Sequence, residues 1–101
     1  MTVVNGRSEA LAALARGERV LESPPFAACH AGVGYYEALL ADLKPLYPDL
    51  DFTLCCGDDA AIAHEALRRG FRSVRCAVPD VMAVKLQAIA EGLGARFHCG
   101  P

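Results

Sequence analysis

The stretch DFTLCCGDDAAIAHEALRRGFRSVRC, residues 51–76, decides the fold. Its first six residues, 51–56, are mostly apolar and alternate in the way that predicts a strand. Apolar residues then recur at helical spacing over about 58–69: Ile62, Ala63, Ala66 and Leu67. Gly70 can take the left-handed conformation that ends a helix, and a further strand is predicted at 73–78. A strand, a helix and a strand in this order predict parallel neighbours joined by a right-handed crossover.

The same unit recurs outward from this stretch. Strands are predicted at 25–30 and 95–99, and helices at 35–47, ended or kinked by Pro45, and at 80–93. Residues 1–24 add a short helix at about 8–16 and could add an edge strand at 18–22. We therefore predict one α/β domain over residues 1–101, with a roughly four-stranded, mainly parallel sheet, βαβ crossovers and an extra N-terminal helix.

Two strand orders are compatible with this pattern. A flavodoxin-like order of 2-1-3-4 would place helices on both faces, whereas a sequential order would cover one face, like a fragment of a barrel. The predicted strands at 51–56, 73–78 and 95–99 alternate apolar and polar residues, which favours one covered face and one polar face. Because a second copy of the chain could cover that polar face, we expect a homodimer.

Composition excludes several classes of protein. The 101 residues are 53% hydrophobic and 22% charged, which is typical of a globular domain. A net charge of −2 gives no field that would attract nucleic acid or an anionic membrane. No secretory leader or membrane span is evident, so we expect a cytoplasmic protein. The five cysteines, an odd number without a C-x-x-C pair, are expected to be free thiols.

The cysteines fall in the predicted strands or at their ends: Cys29, Cys55, Cys56, Cys76 and Cys99. With His30 and His98 they could form a thiolate–imidazole metal site, but structural zinc ligands usually come in close C-x₂₋₄-C pairs, which are absent. We therefore predict no metal and interpret the cysteines as small core residues. Cys56 precedes a helix N-terminus, which lowers a thiol pKa, and the following acids would oppose that effect.

Acids and glycines follow the predicted strands. Asp58 is placed to cap the next helix, with Asp59 in its first turn, and Asp80 is expected to act likewise on the helix after it. The loop CHAGVGYYEAL instead offers Gly32 and Gly34 beside His30, so its backbone amides could approach an anion. This loop partly resembles a dinucleotide-binding fingerprint, but Glu37 replaces the third glycine.

These features favour a small binding or interaction domain without evident catalysis, which binds either a partner chain or a small anionic ligand, and the ligand would lie at the carboxyl edge of the sheet. The candidate binding residues are Cys29, His30, Gly32, Gly34, Cys56, Gly57, Asp58 and Asp80. Two alternatives are an enzyme or thiol- or metal-dependent redox protein using the same edge, and a dimerisation module. The arginines Arg68, Arg69 and Arg72, at the opposite edge, are interpreted as a solvated surface. The sequence indicates no particular cofactor.

Overall fold

A computed structural model describes residues 1–101, and it has five strands and five helices. The strands are β1 (Thr2–Val3), β2 (Val20–Glu22), β3 (Asp51–Cys55), β4 (Ser73–Cys76) and β5 (Arg96–Cys99). The helices are α1 (Arg7–Ala15), α2 (Ala27–Ala31), α3 (Val33–Leu43), α4 (Ala60–Arg68) and α5 (Asp80–Gly92). The prediction of a compact α/β domain with an extra N-terminal helix is confirmed.

The sheet is entirely parallel, and its strands lie side by side in the order β1-β2-β3-β4-β5. This sequential order selects the one-sided alternative over the flavodoxin-like one, because crossovers of one hand between successive neighbours leave every helix on the same face. The helices form a continuous layer there. Arg7 on α1 pairs with Asp42 on α3 at 2.7 Å, and Glu37 on α3 pairs with Arg69, just after α4, at 3.2 Å.

One hydrophobic core lies between the sheet and the helices, and it contains 24 buried residues. The strands contribute their apolar side: Leu21, Phe52, Leu54, Val74, Cys76 and Phe97. The helices contribute many alanines, of which Ala13, Ala66 and Ala90 have no exposed surface. Small side chains at these positions let the helices approach the sheet closely, and large leucines such as Leu86 fill the remaining space.

The opposite face of the sheet has no helix on it and is polar, as the alternation predicted. Thr53 and Cys55 on β3 and Ser73 on β4 lie on this face, and none of them belongs to the hydrophobic core. Thr53 and Ser73 are nevertheless only 5% and 0% exposed. The longer side chains around them therefore cover the centre of the polar face.

The prediction of a strand at 25–30 is wrong. This segment forms α2, and the strand of its βα unit is β2, which lies inside the sheet between β1 and β3 rather than at its edge. After β2 the chain turns at Pro25 and Phe26, and Phe26 takes a left-handed conformation with φ of 62° immediately before α2. A six-residue apolar run cannot distinguish a strand from a short helix by periodicity, and its alanines favour the helix.

Candidate functional site

The carboxyl edge of the sheet collects four cysteines on the side that faces the helices. Cys56 follows β3, Cys76 ends β4 and Cys99 ends β5, and Cys29 comes from α2 rather than from a strand. The thiol of Cys29 donates a hydrogen bond to the backbone oxygen of Cys56 at 3.3 Å. The structure therefore brings together the predicted Cys29 and Cys56, and it adds Cys76 and Cys99, which were not among the candidate binding residues.

Burial keeps the inner thiols of this group protonated. Cys56 and Cys76 have no exposed surface and belong to the hydrophobic core. Burial raises the pKa of Cys76 to about 11, with the Asp59 carboxylate adding to the effect, and burial raises the pKa of Cys56 still further. Cys29 is exposed, yet partial burial and the charges of Asp59 and Asp58 also raise its pKa. The lowered pKa that a helix N-terminus could give Cys56 does not occur.

The N-cap of α4 lies one residue later than predicted. Asp59, not Asp58, is the N-cap of α4, and its carboxylate accepts hydrogen bonds from the backbone N–H groups of Ala61 and Ile62 at 3.0 and 3.2 Å. Asp58 is exposed and makes no such bond. Asp80 occupies the first turn of α5 after the N-cap Pro79. No group of three or more histidine, cysteine or acidic side chains is arranged to hold a metal ion.

The Phe26 ring lies directly against Gly57 at the same edge, a contact that the sequence analysis did not predict. Both have a positive φ, 62° and 63°, and a Cβ built on Gly57 would lie 2.4 Å from Cδ1 of Phe26. Only glycine can therefore occupy position 57 while the ring stays there. The Phe26 ring also stacks on His30, with ring centroids 6.4 Å apart. The sequence offered only Gly57 itself as a signal, because no sequence pattern specifies a positive φ at this glycine.

The glycine loop does not form the strand-to-helix turn that was expected. Gly32, with φ of 92°, lies between α2 and α3, so that the loop joins two helices. Gly34 is already inside α3, and a Cβ built on it would lie 3.6 Å from Nη1 of Arg69. Gly32 and Gly34 therefore do not follow a strand directly, as Cys56 and Asp58 do.

A cavity of about 260 Å³ opens at the amino edge of the sheet, between the ends of α3 and α4. Apolar side chains form its floor: Leu40, Leu50, Phe52 and Phe71. Charged side chains stand around it: Glu37, Lys44, Asp51, Arg69 and Arg72. Two of the arginines interpreted as solvated surface, Arg69 and Arg72, thus border a cavity. The available signal was the apolar Phe71 among the arginines of the stretch RRGFR, residues 68–72.

Some cations near the cavity have carboxylate partners and others do not. Arg69 bonds to Glu37 at 3.2 Å and to Glu65 at 3.4 Å, and Arg96 pairs with Asp51. Lys44 and Arg72 have no carboxylate partner. Lys44 donates to the backbone oxygen of Leu50 at 2.6 Å, and Arg72 donates to that of Gly94 at 3.2 Å. Two cations with neutral partners therefore lie beside an apolar floor.

A hydrogen-bonded chain crosses the polar face of the sheet. Thr53 Oγ1 lies 2.7 Å from Ser73 Oγ, which lies 3.1 Å from Nε2 of His98. Beside it, Arg75 donates to Glu22 at 2.8 Å, and both side chains of this pair are largely buried. Because Ser73 is fully buried, its hydroxyl is closed to a substrate despite the adjacent imidazole. The hydrogen bonds from Thr53 through Ser73 to His98 therefore hold neighbouring strands together, and they do not form a nucleophile–base pair.

Searches against protein-family models, curated protein sequences and solved structures find no match to this chain. None of the helices combines the length and the apolar character that crossing a membrane would require.

Proposed function

We propose that this domain binds a small organic anion in the cavity at the amino edge of the sheet. The observation that carries the proposal is the combination of an apolar floor with two cations, Lys44 and Arg72, that lack carboxylate partners. A ligand with a flat apolar body and one carboxylate or phosphate group would pack on the apolar floor and pair with the cations. The sequence-based expectation of a small anionic ligand is kept, and its location moves to the opposite edge.

The charge balance of the cavity supports an anion. Lys44, Arg69 and Arg72 carry three positive charges against two negative charges on Glu37 and Asp51. The C-termini of α3 and α4 add partial negative charge at this end, which Lys44 and Arg69 are placed to offset. Arg72 lies beyond the end of α4, just before β4, and its partner is the neutral backbone oxygen of Gly94, so an anionic ligand would give it a charged partner.

The volume of the cavity limits the size of the ligand. Sites for drug-sized molecules usually measure about 300–1,000 Å³, so a cavity of about 260 Å³ favours a smaller molecule. The floor favours a ring, because Phe52 and Phe71 line it and aromatic rings pack favourably on one another. A fused-ring carboxylate such as 2-naphthoate is a suitable probe.

An NMR titration of the amide resonances with 2-naphthoate tests the proposal. The expected result is saturable shifts at Leu40, Lys44 and Phe71, with a dissociation constant of about 1 mM or tighter. The neutral isostere 2-naphthamide is expected to bind more weakly, because it cannot use the two cations. Equal affinities for the two probes, or no saturable shifts near the cavity, would contradict the proposal.

The same titration separates the alternatives at the carboxyl edge. Saturable shifts confined to His30, Gly32 and Gly34 would support the original prediction of an anion at that loop. A thiol-dependent enzyme at this edge would require Cys29 or Cys56 to ionise readily, and burial raises the pKa of both thiols, which argues against that alternative. Binding at the amino edge remains the proposal, because the cavity there combines an apolar floor with two cations that lack carboxylate partners.

The homodimer stays a prediction, in which the polar sheet face would be the contact surface. The covering of Thr53 and Ser73 by neighbouring side chains weakens the original reason for it, since the centre of that face is already removed from water. Sedimentation at micromolar concentration decides the matter. A dimer mass would support the prediction, and a strictly monomeric mass would exclude it.

A further inference from the structure

Cys76 and Cys99 are direct partners across the strands β4 and β5. Neighbouring strands lie about 4.8 Å apart, and disulfides join residues whose Cα atoms are about 4.4–6.8 Å apart. Because paired residues of adjacent strands point to the same face, both sulfurs lie on the side of the sheet that faces the helices. The backbone therefore already satisfies the spacing that a disulfide between these residues requires.

The two thiols differ in their access to solvent. Cys99 is exposed, and its thiol donates only to the backbone oxygen of Val78 at 3.5 Å. Cys76 is fully buried, and its sulfur lies 3.9 Å from the backbone oxygen of Cys56. An oxidant in solution can thus reach Cys99, whereas Cys76 is shielded from solvent. This is the arrangement of an oxidisable cysteine beside a resolving cysteine.

We infer that Cys99 and Cys76 form an oxidation site, at which a two-electron oxidant such as hydrogen peroxide converts the pair into a disulfide. The Cys99 sulfur takes one oxygen from the peroxide, the O–O bond breaks and one water leaves, which gives a sulfenic acid. The Cys76 sulfur then attacks the Cys99 sulfur, the S–O bond breaks and a second water leaves. Two thiols and one peroxide give one disulfide and two waters.

The other cysteines are less suited to pair with Cys99. Cys56 lies one strand further away, because Cys76 separates it from β5. Cys55 lies on the opposite face of the sheet. Cys29 is exposed, but it lies on α2, which packs against β3 rather than β5. The inference is independent of the proposed ligand, because the thiol pair lies at the other edge of the sheet.

Tryptic peptide mapping of the whole chain after treatment with hydrogen peroxide tests the site. Cleavage after Arg75, Lys85 and Arg96 places the pair in two short peptides, 76–85 and 97–101, whereas the other three cysteines share the peptide 20–68. We expect the two short peptides to be linked, with a mass lower by about 2 Da than their sum. The linkage should form faster as the pH rises, because burial raises the pKa of Cys76 to about 11.

Matched variants complete the test. The exposed Cys99→Ser should abolish the linked peptide without disturbing the core, whereas the exposed Cys29→Ser should leave it unchanged. Cys76→Ala should also abolish it and leave Cys99 to oxidise further to the sulfinic acid. Sulfinic acid at Cys99 in the unmodified sequence, or a linkage of peptide 97–101 to peptide 20–68, would overturn the inference.

Discussion

Ser73 and His98 join the neighbouring strands β4 and β5 through a hydrogen bond of 3.1 Å between Oγ and Nε2. The imidazole is half-buried, and burial, followed by the charges of Arg75 and Arg96, lowers the pKa of His98 below its ordinary value of 6.5. Asp51 and Glu22 act in the opposite direction without reversing the shift. The folded protein therefore holds His98 neutral in a setting that resists protonation.

The free energy of unfolding should therefore fall in acid. Because the pKa of His98 is lower in the folded state than its ordinary value of 6.5, the unfolded chain takes up the proton first. Stability is then lost as the pH falls through 6.5, and the loss levels off below the folded pKa. Urea denaturation at neutral and acidic pH should show a smaller loss for His98→Gln, and exposed His64→Gln serves as the control. An unchanged loss in His98→Gln would show that His98 is not responsible.

Gly57 should tolerate no side chain. Gly57→Ala would place a Cβ 2.4 Å from Cδ1 of Phe26 in a residue with φ of 63°. We expect the left-handed conformation to cost about 1–2 kcal/mol and the overlap with the ring to cost a further 1–3 kcal/mol or so. Thermal or chemical denaturation measures the sum.

A matched glycine separates the two costs. Gly17 has a φ of 95°, and a Cβ built there would meet nothing within 4 Å. Gly17→Ala should therefore show the conformational cost alone, and adding Phe26→Ala to Gly57→Ala should recover part of the loss. If Gly57→Ala were no more destabilising than Gly17→Ala, Phe26 would not contact Gly57 as described.

The capping residue of α4 can be identified by substitution. Asp59→Ala should lower the free energy of unfolding by about 1 kcal/mol, because two backbone N–H groups lose their acceptor. Asp58→Ala should change it by less than about 0.5 kcal/mol, because the exposed Asp58 carboxylate caps nothing. Equal effects of the two substitutions would contradict the assignment of Asp59 as the N-cap.

The repeated βα pattern was sufficient to predict the fold class, because long periodic segments such as α4 and α5 carry a strong signal. The failures are local. Residues 25–30 were predicted as a strand because a short apolar run has no usable period, and β1 contains only two residues. Asp58 and Asp59 are both suitable caps, and only the starting residue of the helix distinguishes them.

The cavity could not be predicted from the sequence, because its walls come from three separate segments. Leu40 belongs to α3 and Lys44 directly follows it, Phe52 belongs to β3, and Arg72 follows α4. Their proximity depends on the strand order, which the pattern left open. Adjacent residues of a parallel sheet, such as Cys76 and Cys99, likewise become neighbours only once the register is fixed.

The most direct test of the proposed anion site is the affinity for 2-naphthoate after a change to Arg72. We predict that Arg72→Gln weakens binding about threefold to tenfold. The control Arg68→Gln should leave it unchanged, because Arg68 also lacks a carboxylate partner but does not line the cavity. An equal loss of affinity in both variants, or no loss in Arg72→Gln, would contradict the account.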